Sequence, residues 1–367
     1  MSINKSHLAM YIRFLSGGGA ERIFVNLMPE FIKRGVKVDL VMNMADGPYL
    51  SEVPKEVRII DFKTKKILAG LPKLVSYLRQ ERPTTLLSFL HYPNEMAILA
   101  KHLAFVDTRV VVSERNALSM HAGNEPSSEK WSAISARLLY PFADGIIAIS
   151  QGVAQDLVNV TGISPKHIKV IYNPTITPGI FEKSQQPIDH PMFQVEQLPV
   201  VLGVGRLDPQ KNFSTLIEAF AKVRQVKPCH LMILGRGREE KELKALIRKL
   251  DIEDDVVLPG FVNNPYPYIK KAGVLVLSSL WEGLANVLIE ALALGTPVVS
   301  TNCLCGPAEV LNNGKYGSLV PVGDSQAMAT AILDVLSGNS CQVDSTWLEQ
   351  FRVENVAQQY LEFLGLN

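Results

Sequence analysis

The chain has 367 residues, 47% hydrophobic and 20% charged, an ordinary soluble globular composition with room for two domains, which excludes disordered, collagen-like and disulfide-scaffold classes. Its 37 Lys and Arg against 36 Asp and Glu leave a net charge of +1, so no global field suits nucleic acid. The even total hides an asymmetry: residues 1–175 hold 21 basic and 15 acidic side chains, the remainder 16 and 21, and a basic front half suits an anionic surface or substrate.

From the N-terminus, short Val- and Ile-rich runs predict strands near Leu8–Phe14, Val38–Met42, Val57–Ile60, Thr85–Phe89, Val110–Ser113, Ile146–Ile149 and Ile168–Ile171. Helical patterns lie between them over Ala20–Arg34, Leu71–Arg82, Asn94–Leu103, Lys130–Phe142 and Gly152–Val160. Such alternation means a buried parallel sheet with crossover helices. Residues 174–198, rich in proline and without periodicity, read as a linker. Strands then resume at Val200–Val204, Leu231–Leu234, Val256–Leu258, Val274–Leu277 and Val298–Ser300. Helices are predicted over Phe213–Val223, Glu239–Lys249, Asn286–Leu294, Gln326–Leu336 and Trp347–Phe363. The chain thus reads as two open α/β domains, 1–173 and 199–367, with ligands expected at the carboxyl ends of the strands and hence in the cleft between the domains.

Cys229, Cys303, Cys305 and Cys341 make no framework, and Cys303-x-Cys305 lacks the spacing of a zinc knuckle, so buried free thiols are expected. No run reaches the ~18 apolar residues that span a bilayer. The N-terminus shows no basic region followed by an apolar core and cleavage site, which predicts a cytoplasmic protein.

Three stretches carry chemistry. The first strand runs into Ser16-Gly17-Gly18-Gly19-Ala20-Glu21-Arg22 and then a helix, a place where backbone amides meet an anion. It lacks the lysine of a P-loop and the third glycine of a dinucleotide fingerprint, and so reads equally as a tight structural turn. The first strand of the second domain leads to Gly205-Arg206-Leu207-Asp208-Pro209-Gln210-Lys211-Asn212. Arg206 can grip two phosphate oxygens and Lys211 adds a point charge, which fits a diphosphate; Asn212 stands where a helix cap belongs. The third is Trp281-Glu282-Gly283-Leu284-Ala285-Asn286 through Glu290. Eight residues on one helix turn about two circles plus ~80°, so the two glutamates converge only if Glu282 lies in a loop and Glu290 in the early helix. Glu290 is a carboxylate on an otherwise apolar helix face, where it needs a partner such as a sugar diol.

Glu282-x7-Glu290, Gly205-Arg206-Leu-x3-Lys211-Asn212 and Ser16-Gly-Gly-Gly-Ala-Glu-Arg22 together resemble glycosyltransferase family 4. That resemblance implies a GT-B fold, two Rossmann-like doubly wound α/β domains facing across a cleft, and retaining transfer from a nucleotide diphosphate sugar. It allows the last helix to pack back on the N-terminal domain. It implies that Arg206 and Lys211 hold the diphosphate and that Glu282 binds the sugar hydroxyls with the amides of Gly283, Leu284 and Ala285. Glu290 would take the ribose, the backbone at Phe261 and Val262 the base, and Gly18 and Gly19 would close over the phosphates. No metal or other cofactor is implied, since the cations and helix ends replace it. The acidic run Glu253-Asp254-Asp255 precedes its strand and reads as a solvated turn.

Many members carry a histidine after the fifth strand of the front domain. Here that place reads Val112-Ser113-Glu114-Arg115-Asn116, which resembles the branch building bacterial surface polysaccharides and lipid-linked glycans. Glu114 and Arg115 are candidates for the acceptor region, and His91 and His121 are not assigned. UDP and an N-acetylhexosamine or hexose are the donor parts expected from the branch, with a glycan or polyprenyl-diphosphate-linked acceptor. Lys63, Lys65, Lys66 and Lys73 flank an apolar stretch and predict peripheral docking of the front domain on an anionic membrane, the inner face of the plasma membrane. A nucleotide-sugar epimerase on the same fold and a non-catalytic nucleotide-sugar-binding subunit are the other classes. The four intact residues Arg206, Lys211, Glu282 and Glu290 argue against the second.

Overall fold

The structure, a computed structural model, describes residues 6–16, 18–120, 130–193 and 198–366. The chain forms two compact units, Met1–Thr175 with Gln350–Asn367, and Ile176–Glu349.

The first unit holds seven parallel strands: β1 (His7–Ile12), β2 (Lys37–Met42), β3 (Arg58–Asp61), β4 (Thr85–Phe89), β5 (Arg109–Glu114), β6 (Gly145–Ala148) and β7 (Ile168–Val170). Their order is β3-β2-β1-β4-β5-β6-β7, so the chain reverses direction across the sheet between β1 and β4. Every residue of β1 is buried, from His7 to Ile12, which is why the strand reads as a continuous apolar run instead of an alternation. On one face, helix Gly19–Lys33 offers Phe24, Leu27, Met28 and Phe31 to this core. Phe24 meets Phe89 of β4 with ring centroids 4.6 Å apart. Asp39, a charge inside β2, receives His7 Nε2 at 2.9 Å, the Tyr77 hydroxyl at 2.7 Å and the Arg58 guanidinium. Burial alone would raise its carboxyl, but these hydrogen bonds hold it well below the usual range.

The second unit holds β8 (Val200–Val204), β9 (His230–Leu234), β10 (Val256–Gly260), β11 (Val274–Leu277), β12 (Val298–Thr301) and β13 (Ser318–Val320). They pair in parallel in the order β10-β9-β8-β11-β12-β13. Here the reversal falls between β8 and β11, the topological switch point of this sheet.

The structure differs from the sequence reading in several places. Residues 176–193, read as part of a linker, lie in the second unit: Ile180 and Met192 are buried, and Asn264 Nδ2 donates to Lys183 O at 2.9 Å. The helix read over Trp347–Phe363 is broken into Ser345–Leu348 and Val353–Leu364 around a 3-10 turn at Glu349–Phe351. Trp347 Nε1 donates to Val310 O at 3.0 Å in the second unit. Val356, Ala357, Tyr360, Leu361 and Leu364 instead join the core of the first, so the break lets each piece pack in its own unit. β13 carries too few residues to announce itself. Cys341 is exposed, unlike the other three free thiols.

Candidate active site

At the switch point of the second sheet, two loops some seventy residues apart in sequence are fastened together. Beyond β8 the chain turns at Gly205, buries Leu207, and makes a 3-10 turn at Pro209–Lys211. The methylenes of Lys211 run across Gly205, where an added Cβ would stand 3.3 Å from them. Lys211 Nζ thereby reaches Glu282 Oε1 at 2.5 Å. Beyond β11, Ser278 Oγ donates to Lys211 O at 2.8 Å and Ser279 Oγ to Glu282 Oε1 at 2.6 Å. Thr301 of β12 holds Ser279 O at 2.6 Å. Leu280 N donates to Gln210 O at 2.8 Å, and Gln210 Nε2 donates to Trp281 O at 3.0 Å. Sequence reasoning did not single out Ser278, Ser279 or Thr301. Ser278 and Ser279 stand just past buried β11 and Thr301 ends buried β12, and those positions were the available signal.

Helix Asn286–Leu294 begins where the spacing predicts, with Glu282 in the loop and Glu290 half-buried in the helix. Ala285, immediately before it, has φ +64°, a conformation costing an L-residue on the order of 1–3 kcal/mol and concentrated at functional sites. Gly283, Leu284 and Ala285 are buried between Glu282 and the helix start. Arg206 stands out to solvent with 71% of its side chain exposed, Nε 3.3 Å from Asp208 Oδ2. Phe261 is 53% exposed and Val262 half-buried on the loop after β10. Asn212 occupies the position before helix Phe213–Val226, but its side chain does not cap it. It bonds the hydroxyls of Thr215 and Ser214 at 2.7 and 2.8 Å instead.

In the first unit, Gly18 precedes helix Gly19–Lys33 and is packed against the Glu21 carboxylate, which accepts from Ser16 Oγ at 2.8 Å. A Cβ at Gly18 would meet Glu21 Oε2 at 2.4 Å. Glu114 and Arg115 are both buried. Glu114 Oε2 accepts the Tyr140 hydroxyl at 2.6 Å and lies 3.8 Å from His91 Nδ1. Arg115 Nη2 donates to Asn173 Oδ1 at 2.6 Å, with its guanidinium 4.5 Å from the Phe89 ring centroid. His91 Nε2 is 3.1 Å from Glu95 Oε1. Burial pulls the His91 imidazole down, but Glu114 and Glu95 overcome it and push it up to about 9. Burial likewise opposes ionisation of Glu114, and His91 and Tyr140 more than offset it, leaving its carboxyl below the usual range. The i, i+4 spacing of His91 and Glu95 on helix His91–Ala104 was the signal in the sequence for this cluster. Leu90, which opens that helix, has φ 76° and ψ 147°, a region otherwise left to glycine. Gly17 and His121 lie outside the described residues.

Among the described residues no group of three or more His, Cys, Asp or Glu side chains could hold a metal ion. Glu253–Asp255 forms a 3-10 turn, with Asp255 taken by Arg224.

Residues 17–177 match the family model described as Glycosyltransferase Family 4, and residues 186–346 the model described as Glycosyl transferases group 1. The N-acetylgalactosamine-N,N'-diacetylbacillosaminyl-diphospho-undecaprenol 4-alpha-N-acetylgalactosaminyltransferase of Campylobacter jejuni is 32% identical over 90% of this chain and 90% of its own length. The chain belongs to glycosyltransferase family 4. This family 4 glycosyltransferase is also 28% identical, over 97% of its length and 98% of the relative's, to the lipopolysaccharide core biosynthesis glycosyltransferase LpsE of Rhizobium meliloti. A crystal structure of Anabaena Alr3699/HepE in complex with UDP and glucose superposes with a TM-score of 0.77 at 20% identity, covering 98% of this chain and 99% of the other. The fold is GT-B, with a Rossmann-like sheet in each unit.

Proposed function

We propose that this glycosyltransferase moves an N-acetylhexosamine or hexose, with retained anomeric configuration, from a UDP-sugar to a glycan or polyprenyl-diphosphate-linked acceptor of surface polysaccharide synthesis. The observation that carries the reading is the Lys211–Glu282 pair, 2.5 Å apart at the switch point of the second sheet. The relatives named for undecaprenol-linked and lipopolysaccharide acceptors support the acceptor class, and the UDP complex among the solved structures supports the nucleotide.

In this reading Arg206 and Lys211 hold the diphosphate, and Glu282 with the amides of Gly283, Leu284 and Ala285 holds the sugar. Glu290 takes the ribose, Phe261 and Val262 meet the base through their backbone, and Gly18 and Gly19 close over the phosphates. The acceptor hydroxyl attacks the anomeric carbon on the face from which the diphosphate departs. The C1–O bond to the β-phosphate breaks, and the freed phosphate oxygen takes the acceptor's proton. The cations stabilise the charge growing on the diphosphate. Glu114 and Arg115, buried at the end of β5, position the acceptor region through their neighbours. A screen of UDP-, GDP-, ADP- and dTDP-sugars with lipid-linked acceptors tests the reading. Transfer from a UDP-sugar with the anomeric proton retained supports it, and inversion or transfer from another nucleotide alone overturns it.

Two further outcomes are expected. Turnover persists in excess chelator and is not raised by magnesium or manganese, because protein cations serve the diphosphate; activity that vanishes with chelator and returns with metal contradicts this. The enzyme also sediments with anionic liposomes at low salt. On helix Ile67–Glu81, Leu74 and Leu78 face the core, while Leu68 is 68% exposed beside the exposed Lys63, Lys65, Lys66 and Lys73. Each basic residue near an anionic leaflet contributes about 1 kcal/mol, so replacing Lys63, Lys65 and Lys66 with Ser should return the protein to the supernatant.

A further inference from the structure

The charges at the carboxyl edge of the second sheet do not balance as the Arg206–Lys211 motif alone suggests. Lys211 is paired with Glu282 at 2.5 Å, and Arg206 lies 3.3 Å from Asp208. Each cation of that loop therefore already has a carboxylate beside it. A nucleotide diphosphate sugar carries about two negative charges and develops more on the phosphate as its glycosidic bond breaks, and the metal-independent transfer proposed above needs positive charge beyond these pairs.

The loop after β9 supplies it. Gly235-Arg236-Gly237-Arg238 follows Leu234 and is stitched by backbone hydrogen bonds to the loops on both sides. Gly205 N donates to Leu234 O at 2.9 Å, Leu207 N to Arg236 O at 3.0 Å, Glu239 N to Leu207 O at 3.0 Å, and Gly235 N to Gly260 O at 2.9 Å. The fit leaves no room for side chains. A Cβ at Gly235 would fall 1.7 Å from Gly205 O, and one at Gly237 2.3 Å from Leu207 O. The backbone of Arg236 is thus fixed against the diphosphate loop.

Its side chain turns the other way, across Gly260, where an added Cβ would stand 3.2 Å from Arg236 Nε. Gly260 has φ +90°, so only glycine leaves this path open without strain. Arg236 therefore spans the interval between Arg206 and the loop of Phe261 and Val262. It is exposed, and among the described residues its guanidinium makes no hydrogen bond or ion pair. Arg238 is exposed too and acts on the neighbouring Glu239 carboxylate; Arg236 acts likewise on Glu240, but that carboxylate is already held by Lys244 Nζ at 2.7 Å.

We infer that Arg236 is a donor-binding residue whose guanidinium gives the nucleotide's diphosphate a positive charge not already paired with a carboxylate. The inference rests on the donor site proposed above and adds a residue from a third loop to it. Because the contact is made to bound donor and transition state alike, it governs affinity more than the chemical step.

Calorimetric titration of the purified enzyme with UDP, and with GDP and ADP, tests this alongside Arg236→Ala, Arg236→Lys, Arg238→Ala and Lys211→Ala. Thermal melts confirm that each variant is folded. Arg236→Ala should bind UDP about 10- to 100-fold more weakly, the loss of a charge-assisted contact to phosphate. It should raise the donor KM by a similar factor with little change in kcat, and flatten the salt dependence of binding. Arg236→Lys should recover most of the affinity. UDP affinity within twofold of the wild type in Arg236→Ala overturns the inference, as does an equal loss in Arg238→Ala, which would trace the effect to the loop's general field. If Lys211→Ala weakens UDP and Arg236→Ala does not, only this inference fails. If the wild type binds none of the three nucleotides, the donor-site reading fails, and this inference with it.

Discussion

Lys211→Ala is expected to lower turnover about 30- to 1,000-fold at saturating donor, the loss of about 2–4 kcal/mol of transition-state stabilisation. Lys211 is delivered by the 3-10 turn after β8 and held between Glu282 and the backbone that Ser278 grips. In the proposed mechanism charge grows on the departing diphosphate, so the loss should appear in kcat as well as in kcat/KM. Glu290→Gln should lose activity on the same scale through the donor, with the fold intact, because its helix is anchored by Leu288, Ile289, Ala291 and Leu292. Initial rates measured beside thermal melts decide the matter. Near-normal rates in both variants would remove the second sheet's edge from the mechanism.

The second large effect is on stability and comes from the buried cluster of the first unit. His91 is held up to about 9 after its burial is overcome by Glu114 and Glu95, against about 6.5 in an unfolded chain. A raised histidine contributes its full stabilisation below the unfolded value and loses it as pH climbs through the folded one. A shift of that size corresponds to about 3 kcal/mol, lost progressively between pH ~6.5 and ~9. Glu114 has the opposite sign: its lowered carboxyl stabilises above the ordinary glutamate range and ceases to do so as pH falls through its folded value. The groups facing His91 are Glu95 on its own helix, Glu114 on β5 and Tyr140 beyond helix Lys130–Leu139. Burial, with Glu114 adding to it, keeps the Tyr140 phenol protonated well beyond this window. Glu114→Ala should cost about 3–5 kcal/mol, since it leaves the buried His91 with Glu95 alone and removes the carboxylate that accepts the Tyr140 hydroxyl. Denaturant unfolding from pH 6 to 9.5 checks both. Wild-type stability should fall across the window and His91→Gln should flatten that fall. Parallel curves would show that another group controls the alkaline limb.

The sequence by itself determined the two parallel sheets, since a strand buried on both faces must be apolar throughout. The runs at Leu8–Phe14 and Val274–Leu277 could be read because each states its own burial, although the first strand ends at Ile12. It also placed Glu282 in a loop and Glu290 in the helix after it, because eight residues cannot bring two side chains onto one helix face, and helix Asn286–Leu294 starts accordingly. The family pattern was legible for the same reason: glycines and charges at strand ends stand at fixed local spacing. Only the tertiary structure decided which charges meet. Lys211 finds Glu282 because β8 and β11 are neighbours in the sheet, although two strands, β9 and β10, and three α-helices lie between them in the chain. His91 finds Glu114 because β4 pairs with β5, and Arg236 reaches Gly260 because β9 pairs with β10. The end of the chain shows the same limit. Helical periodicity ran from Trp347 to Phe363 without a break, but packing chose the second unit for Trp347 and the first for Tyr360. Periodicity reports that a face is buried; strand order and packing decide against what, and those depend on contacts remote in sequence.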